Sequence, residues 1–255
     1  MERFDALMTV CFGTADADRF DRCFASIHRM ALQESGIPKG VLTVTSSHIR
    51  ERLAEQGVVL SSPGQALDAL RLQSRRRVLV LALFISEGNE WAALRALCRV
   101  RKGDFEQLTL IPPLLRDRYP STARVLCQLI PPQEKTVTVL LGHGGALGEN
   151  DSYLALLSRL RALGRKDFSL TMLHGSPAPL ETVASLRKQG CTRARLVYLL
   201  FCAGHHAQEA FSPGGIVACL KKVGIDTEIS PLELGQEESF QRLFLSPFKN
   251  LKEHT

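Results

Sequence analysis

Aromatic residues are scarce, at 6% of 255 residues, with a single Trp and three Tyr. No nucleic-acid-binding motif accompanies them, so a stacking platform for bases is not expected and nucleic acid is set aside as a partner. No run approaches the roughly 18–20 uninterrupted apolar residues that a membrane span needs, so no membrane partner is expected. The short apolar run Leu7–Phe12 is closely flanked by acidic residues, which makes it a poor signal peptide, and a cytoplasmic location is the expectation. Cys-x-x-Cys is missing, and the seven cysteines are odd in number. Several lie in apolar runs, so they read as reduced, buried thiols and not as a disulfide or zinc framework. Neither Ser46 nor Ser212 sits in a Gly-x-Ser-x-Gly elbow, which argues against a serine hydrolase. Gly142-His143-Gly144-Gly145 lacks the Lys-Ser/Thr of a phosphate loop and the spacing of a dinucleotide fingerprint, so no nucleotide is expected.

What is present is an ordinary globular composition, 45% hydrophobic and 23% charged, with a formal net charge of +6. That balance suits an anionic small molecule. The run Arg75-Arg76-Arg77 is a less suitable place to hold it. It precedes a strand-like segment, and parallel α/β sheets bind ligands at the opposite, carboxyl ends.

Apolar runs alternate with amphipathic stretches along the whole chain. The runs are Leu7–Phe12, Val41–Val44, Val78–Phe84, Leu108–Ile111, Val137–Leu141, Ser169–Leu173, Leu196–Phe201 and Asp226–Ile229. Their shortness and their Gly, Pro, Ser or charged borders suit buried parallel strands. Helical patterns lie between them at residues 20–32, at 47–53 with Ser46 or Ser47 as cap, and at 66–72. The clearest covers 153–163, with Leu154, Leu157, Leu160 and Leu163 taken as one stripe. This βαβ succession predicts an α/β fold of two similar lobes, each a parallel sheet flanked by helices. Pro131-Pro132 marks the expected linker, giving an N-terminal lobe over 1–130 and a C-terminal lobe over 136–255. Thr9–Thr14 and Val139–Gly144 look like the same strand–glycine–loop device used twice. A ligand is expected in the crevice between the lobes. The last helix, near 237–251, is expected to cross back onto the first lobe.

Three histidine positions share one context. His143 follows the fifth run, His174 the sixth, and His205 and His206 the seventh. In a parallel sheet all of these fall at the carboxyl edge, where catalytic groups gather. Neutral imidazole is the commonest protein metal ligand and suits Co2+, Fe2+, Ni2+ and Zn2+ alike. Glu209 lies three residues after His206 and four after His205, so on a helix it shares a face with them as a ligand or an orienting partner.

The chain resembles the anaerobic sirohydrochlorin cobaltochelatase family, the class II chelatases of cobalamin synthesis, over nearly its whole length. The likeness rests on Val10–Thr14, Thr45–Arg50, Pro63–Leu67, Glu87–Trp91, Gly142–Gly144 with Tyr153, Ala203–Ala207 and Glu233–Gly235. The resemblance implies insertion of a divalent metal, cobalt first and iron or nickel next, into sirohydrochlorin or a related anionic tetrapyrrole. A non-catalytic carrier or sensor of metal or tetrapyrrole is the alternative, and a homo-oligomer is left open. Carried over by position, His143 and His206 match the family's metal-site histidines and Glu90 also matches. An imidazole, His174, stands where the family has an acidic residue, His205 where it has Asp, and Phe84 where it has a histidine. These matches make His143, His206 and Glu90 the candidate catalytic residues. The candidate metal ligands are His143, His174, His205, His206 and Glu209. Phe12, Gly13, Thr14, Phe84, Gly142 and Gly144 are the candidate substrate contacts.

Overall fold

A computed structural model describes residues 4–145, 150–202 and 209–248. The chain divides into two compact units, Met1–Leu114 with Gln241–Thr255, and Leu115–Phe240.

The first unit is built on β1 (Ala6–Cys11), β2 (Gly40–Val44), β3 (Arg77–Leu83) and β4 (Gln107–Ile111), all parallel, in the order β2-β1-β3-β4. The two central strands are apolar on both faces because helices cover both, so β1 is buried at every position and β3 at all but its first. Met8, Val10, Val80 and Ala82 of these strands pack with Leu67, Leu70, Trp91 and Leu94 from helices Pro63–Leu72 and Asn89–Val100. Ser62 starts the first of those helices with a capping box, accepting from the Gln65 N–H while Gln65 accepts from the Ser62 N–H. Helical residues 17–35 include one wider π turn at Asp21–Ala25.

The second unit repeats the plan. Its strands β5 (Thr136–Gly144), β6 (Phe168–His174), β7 (Arg193–Tyr198) and β8 (Asp226–Ile229) are again all parallel, in the order β6-β5-β7-β8. In each sheet the first strand of the unit sits second in the order. The chain therefore steps one way to its second strand and the other way to its third and fourth. That reversal creates a topological switch point between β1 and β3, and another between β5 and β7, where open α/β sheets hold ligands.

Three structural features differ from the pattern read in the sequence. The division between units falls at Leu114/Leu115 and not at Pro131-Pro132. Helix Tyr119–Leu129 packs on helix Asp151–Ala162, and the Pro131 carbonyl accepts a 2.7 Å hydrogen bond from Arg195 Nη2, so this segment is part of the second unit. On helix Asp151–Ala162 the buried face is Tyr153, Leu156, Leu157 and Leu160, whereas Leu154 and Leu163 are 45% and 38% exposed. A strict spacing of three loses about 60° per step against a helix of 3.6 residues per turn, so the ends of that stripe rotate out of the core. The final stretch is not one helix. Among its described residues it is a short helix, Glu238–Gln241, a 3-10 turn, Arg242–Phe244, and a further helical stretch at 246–248. Gln241 Nε2 donates to Arg22 O and Ser26 Oγ at 2.8 and 2.9 Å. Among the described residues no helix is long and apolar enough to cross a membrane.

Candidate functional site

β5 and β6 are neighbours in the second sheet, and their register sets Gly144 opposite His174. The adjacent His143 and His174 rings therefore meet at the carboxyl edge, with centroids 5.1 Å apart and planes at 66°. His143 Nδ1 is 2.9 Å from the Gly144 carbonyl. A carbonyl can only accept, so in that hydrogen bond Nδ1 carries the proton, and Nε2 keeps the lone pair that a metal ion would use. His174 Nε2 lies 3.8 Å from Glu209 Oε2, and both side chains are partly exposed. The carboxylate thus stands beside the second imidazole, from a segment well separated in sequence.

The glycines flanking His143 are required by this packing. Gly144 has φ +68°, and a Cβ built there would sit 1.9 Å from the His174 carbonyl oxygen. At Gly142 a Cβ would lie 2.8 Å from Met172 Sδ and 2.9 Å from Tyr153 Cε1. Both glycines thus let β5 and β6 close together beneath the histidines. His205 and His206 lie outside the described residues. Among the described residues no three His, Cys, Asp or Glu side chains are gathered closely enough to hold a metal ion.

A recess lies in the first unit, at the carboxyl edge of its sheet. Its volume is about 570 Å³, and its walls include Phe12, Thr45, Ser47, Pro63, Asn89 and Glu90. Three helices begin here, Ser47–Ala54, Pro63–Leu72 and Asn89–Val100. Ser46 Oγ caps helix Ser47–Ala54 by accepting from the Ile49 N–H, and helix Asn89–Val100 starts after Gly88 with no side-chain cap. Unsatisfied N–H groups at helix starts favour anions, and Glu90 places one carboxylate in the same wall. Arg50 Nη1 donates to the Val44 and Thr45 carbonyls at 2.7 and 2.9 Å, tying down the end of β2. Phe12 is 42% exposed at the end of β1, Gly13 takes a left-handed turn, and Thr14 is buried. Phe84 departs from its expected place at a ligand surface. It is only 9% exposed and packs in the core with Trp91 and Leu94.

Thr45, Ser47 and Asn89 were not candidates from residue type alone. Their signal is positional: a run of hydroxyls directly after β2, and an Asn directly after the Gly88 that starts a helix.

A model of the family described as cobalt chelatase (CbiK) matches residues 5–253. A sirohydrochlorin cobaltochelatase of Salmonella typhimurium is 27% identical over 206 residues, covering 79% of this chain and 78% of that protein. Among solved structures, SirB from Bacillus subtilis with Fe3+ superposes with a TM-score of 0.71 at 16% identity, covering 98% of this chain and 95% of the other. CbiX, described as the terminal enzyme of siroheme biosynthesis in denitrifying bacteria, gives 0.59 at 14% identity, covering 96% and 98%. At these identities the two structures are likenesses of fold.

Proposed function

Since the chain belongs to the cobalt chelatase (CbiK) family, we propose that it inserts a divalent metal ion, cobalt by preference, into sirohydrochlorin or a closely related anionic tetrapyrrole. The observation that carries this reading is the pair of imidazoles, 5.1 Å apart, at the carboxyl edge of the second sheet with Glu209 beside one of them. Insertion replaces two pyrrole N–H protons by one divalent ion, so the protein must hold the ion and take up protons. His143 and His174, joined by His206, hold the metal that is the second substrate. A neutral imidazole of the site accepts the protons. Glu209 serves as a further oxygen ligand or orients His174, and His205 stands next to His206 as a reserve donor. The +6 charge of the chain attracts the carboxylates of the macrocycle.

The test is to mix purified protein with sirohydrochlorin and Co2+, Fe2+, Ni2+ or Zn2+ in turn, and follow the absorbance of the metallated product. Co2+ insertion faster than the uncatalysed rate supports the proposal. No acceleration with any of the four ions would overturn it.

A further inference from the structure

Helix Asp151–Ala162 opens on Asn150, one of the residue types best suited to cap a helix with its own side chain. Here it makes no side-chain cap bond. Its amide Nδ2 instead donates a 2.9 Å hydrogen bond to the Ser176 carbonyl, 26 residues along the chain. The side chain is buried, at 9% exposure. With φ −89° and ψ −11° the Asn150 backbone is already helical, so its side chain is turned away from the capping role and is free to reach across to another segment.

Ser176 lies in the turn that carries the chain away from His174. That turn is pressed onto the same side chain: a Cβ at Gly175, which has φ +87°, would lie 2.6 Å from Asn150 Nδ2 and 2.8 Å from the Gly145 carbonyl. One residue earlier, the His174 carbonyl abuts Gly144. The end of β6 and the turn after it are therefore closed against the end of β5 and Gly145 at two successive residues, His174 and Gly175, and the Asn150 amide bonds to the next, Ser176. β-pairing fixes the backbone only as far as Gly144 opposite His174, the last pair of the ladder. Beyond it the turn that follows His174 is held by the Met172 N–H, which donates to the Pro177 carbonyl at 2.9 Å, by Ser176 Oγ, which donates to Glu181 Oε2 at 2.7 Å, and by the Asn150 amide, which bonds to it from the β5 side.

We infer that Asn150 is a positioning residue for the metal site: by tethering the 174–176 turn, it sets the His174 imidazole against His143. The inference rests on the reading of His143 and His174 as metal ligands. It extends that reading to a residue that touches neither the ion nor the tetrapyrrole. A group that fixes the orientation of a ligand commonly changes metal affinity by about 10–100-fold when removed.

The test is titration of the full chain with Co2+ alone, whose visible ligand-field bands report both binding and donor geometry. Asn150→Asp keeps the shape of the side chain and its capping ability but places a carboxylate oxygen against the Ser176 carbonyl. Asn150→Ser also keeps capping ability and is too short to reach, so it serves if the first variant folds poorly. The expected result for the folded variants is Co2+ affinity lowered about tenfold, with an altered band pattern. A purely structural role would lower the thermal midpoint while leaving affinity and bands as in the wild type, and that result overturns the inference. If wild-type binding is abolished by His143→Ala and His174→Ala but untouched by both Asn150 variants, the inference alone is wrong. If wild-type binding survives the two histidine variants, the metal-site reading falls and the inference with it.

Discussion

His174 has two neighbours of different character, an imidazole 5.1 Å away between ring centroids and a carboxylate oxygen at 3.8 Å. Replacing it by Glu would set two carboxylates side by side, an arrangement that asks for a cation and favours harder ones. We therefore expect His174→Glu to shift binding away from Ni2+ and toward Mn2+. The ratio of the two dissociation constants should change by about tenfold, as calorimetric titration would read it. An unchanged ratio would mean that His174 is not a ligand. Gly144→Ala tests the closure beneath the pair. A Cβ there meets the His174 carbonyl at 1.9 Å on a left-handed backbone, so the substitution should cost about 1–3 kcal/mol and weaken metal binding together with stability. Urea unfolding and Co2+ titration of the same preparation would show it. A variant as stable as the wild type would contradict the packing described. At this scale the sequence was informative where a residue sat at the end of a run. His143 and His174 were readable because each follows an apolar strand. Phe84 occupies the same kind of position, yet it packs in the core with Trp91 and Leu94, a tertiary contact with no local signature. Asn150 was not readable, since its partner lies 26 residues away.

At the scale of elements, all eight runs became strands; the central β1 and β3 are buried on both faces and give an unbroken apolar signal, whereas the edge strands β2, β4 and β8 are partly exposed and were legible chiefly from their place in the alternation. Helix faces were less legible. Leu154 and Leu163 are as apolar as Leu157, and only the 3.6-residue period separates them. One helix also carries a titrating group into the first unit. His28, in helix Ser26–Ser35, is hydrogen-bonded through Nδ1 to Thr9 Oγ1 of β1 at 2.8 Å. Burial, with a smaller contribution from the Arg29 charge, lowers its pKa to about 4. The folded value lies below the unfolded one, near 6.5, so the unfolded chain binds the proton first. Stability from this group is complete above about pH 6.5 and is lost as pH falls toward 4, by an amount on the order of 2–3 kcal/mol. His28→Gln should flatten the pH dependence of denaturant unfolding across that window. A wild-type slope retained in the variant would assign the effect elsewhere.

At the scale of the whole molecule, the repeated strand order, β2-β1-β3-β4 and β6-β5-β7-β8, is what the sequence showed as one strand–glycine–loop device used twice. Pro131-Pro132 suggested a linker on composition, but the buried Arg195 that binds the Pro131 carbonyl is a tertiary contact with no local signature. The excess of positive charge also acts at this scale. If it draws in a polycarboxylate, kcat/KM for sirohydrochlorin should fall by roughly threefold or more between low and high salt, with kcat little changed. A salt-independent kcat/KM would remove steering from the account. The central claim is catalytic insertion at a histidine-held metal. Its most direct test is to count product: sirohydrochlorin and Co2+ in large excess over protein, with cobalt-sirohydrochlorin followed by absorbance for the wild type and for His143→Ala of unchanged circular dichroism. The account predicts many equivalents of product per wild-type chain, and loss of that turnover in the variant. Product that stops at one equivalent would mark a carrier in place of a chelatase, and wild-type turnover in His143→Ala would contradict the site.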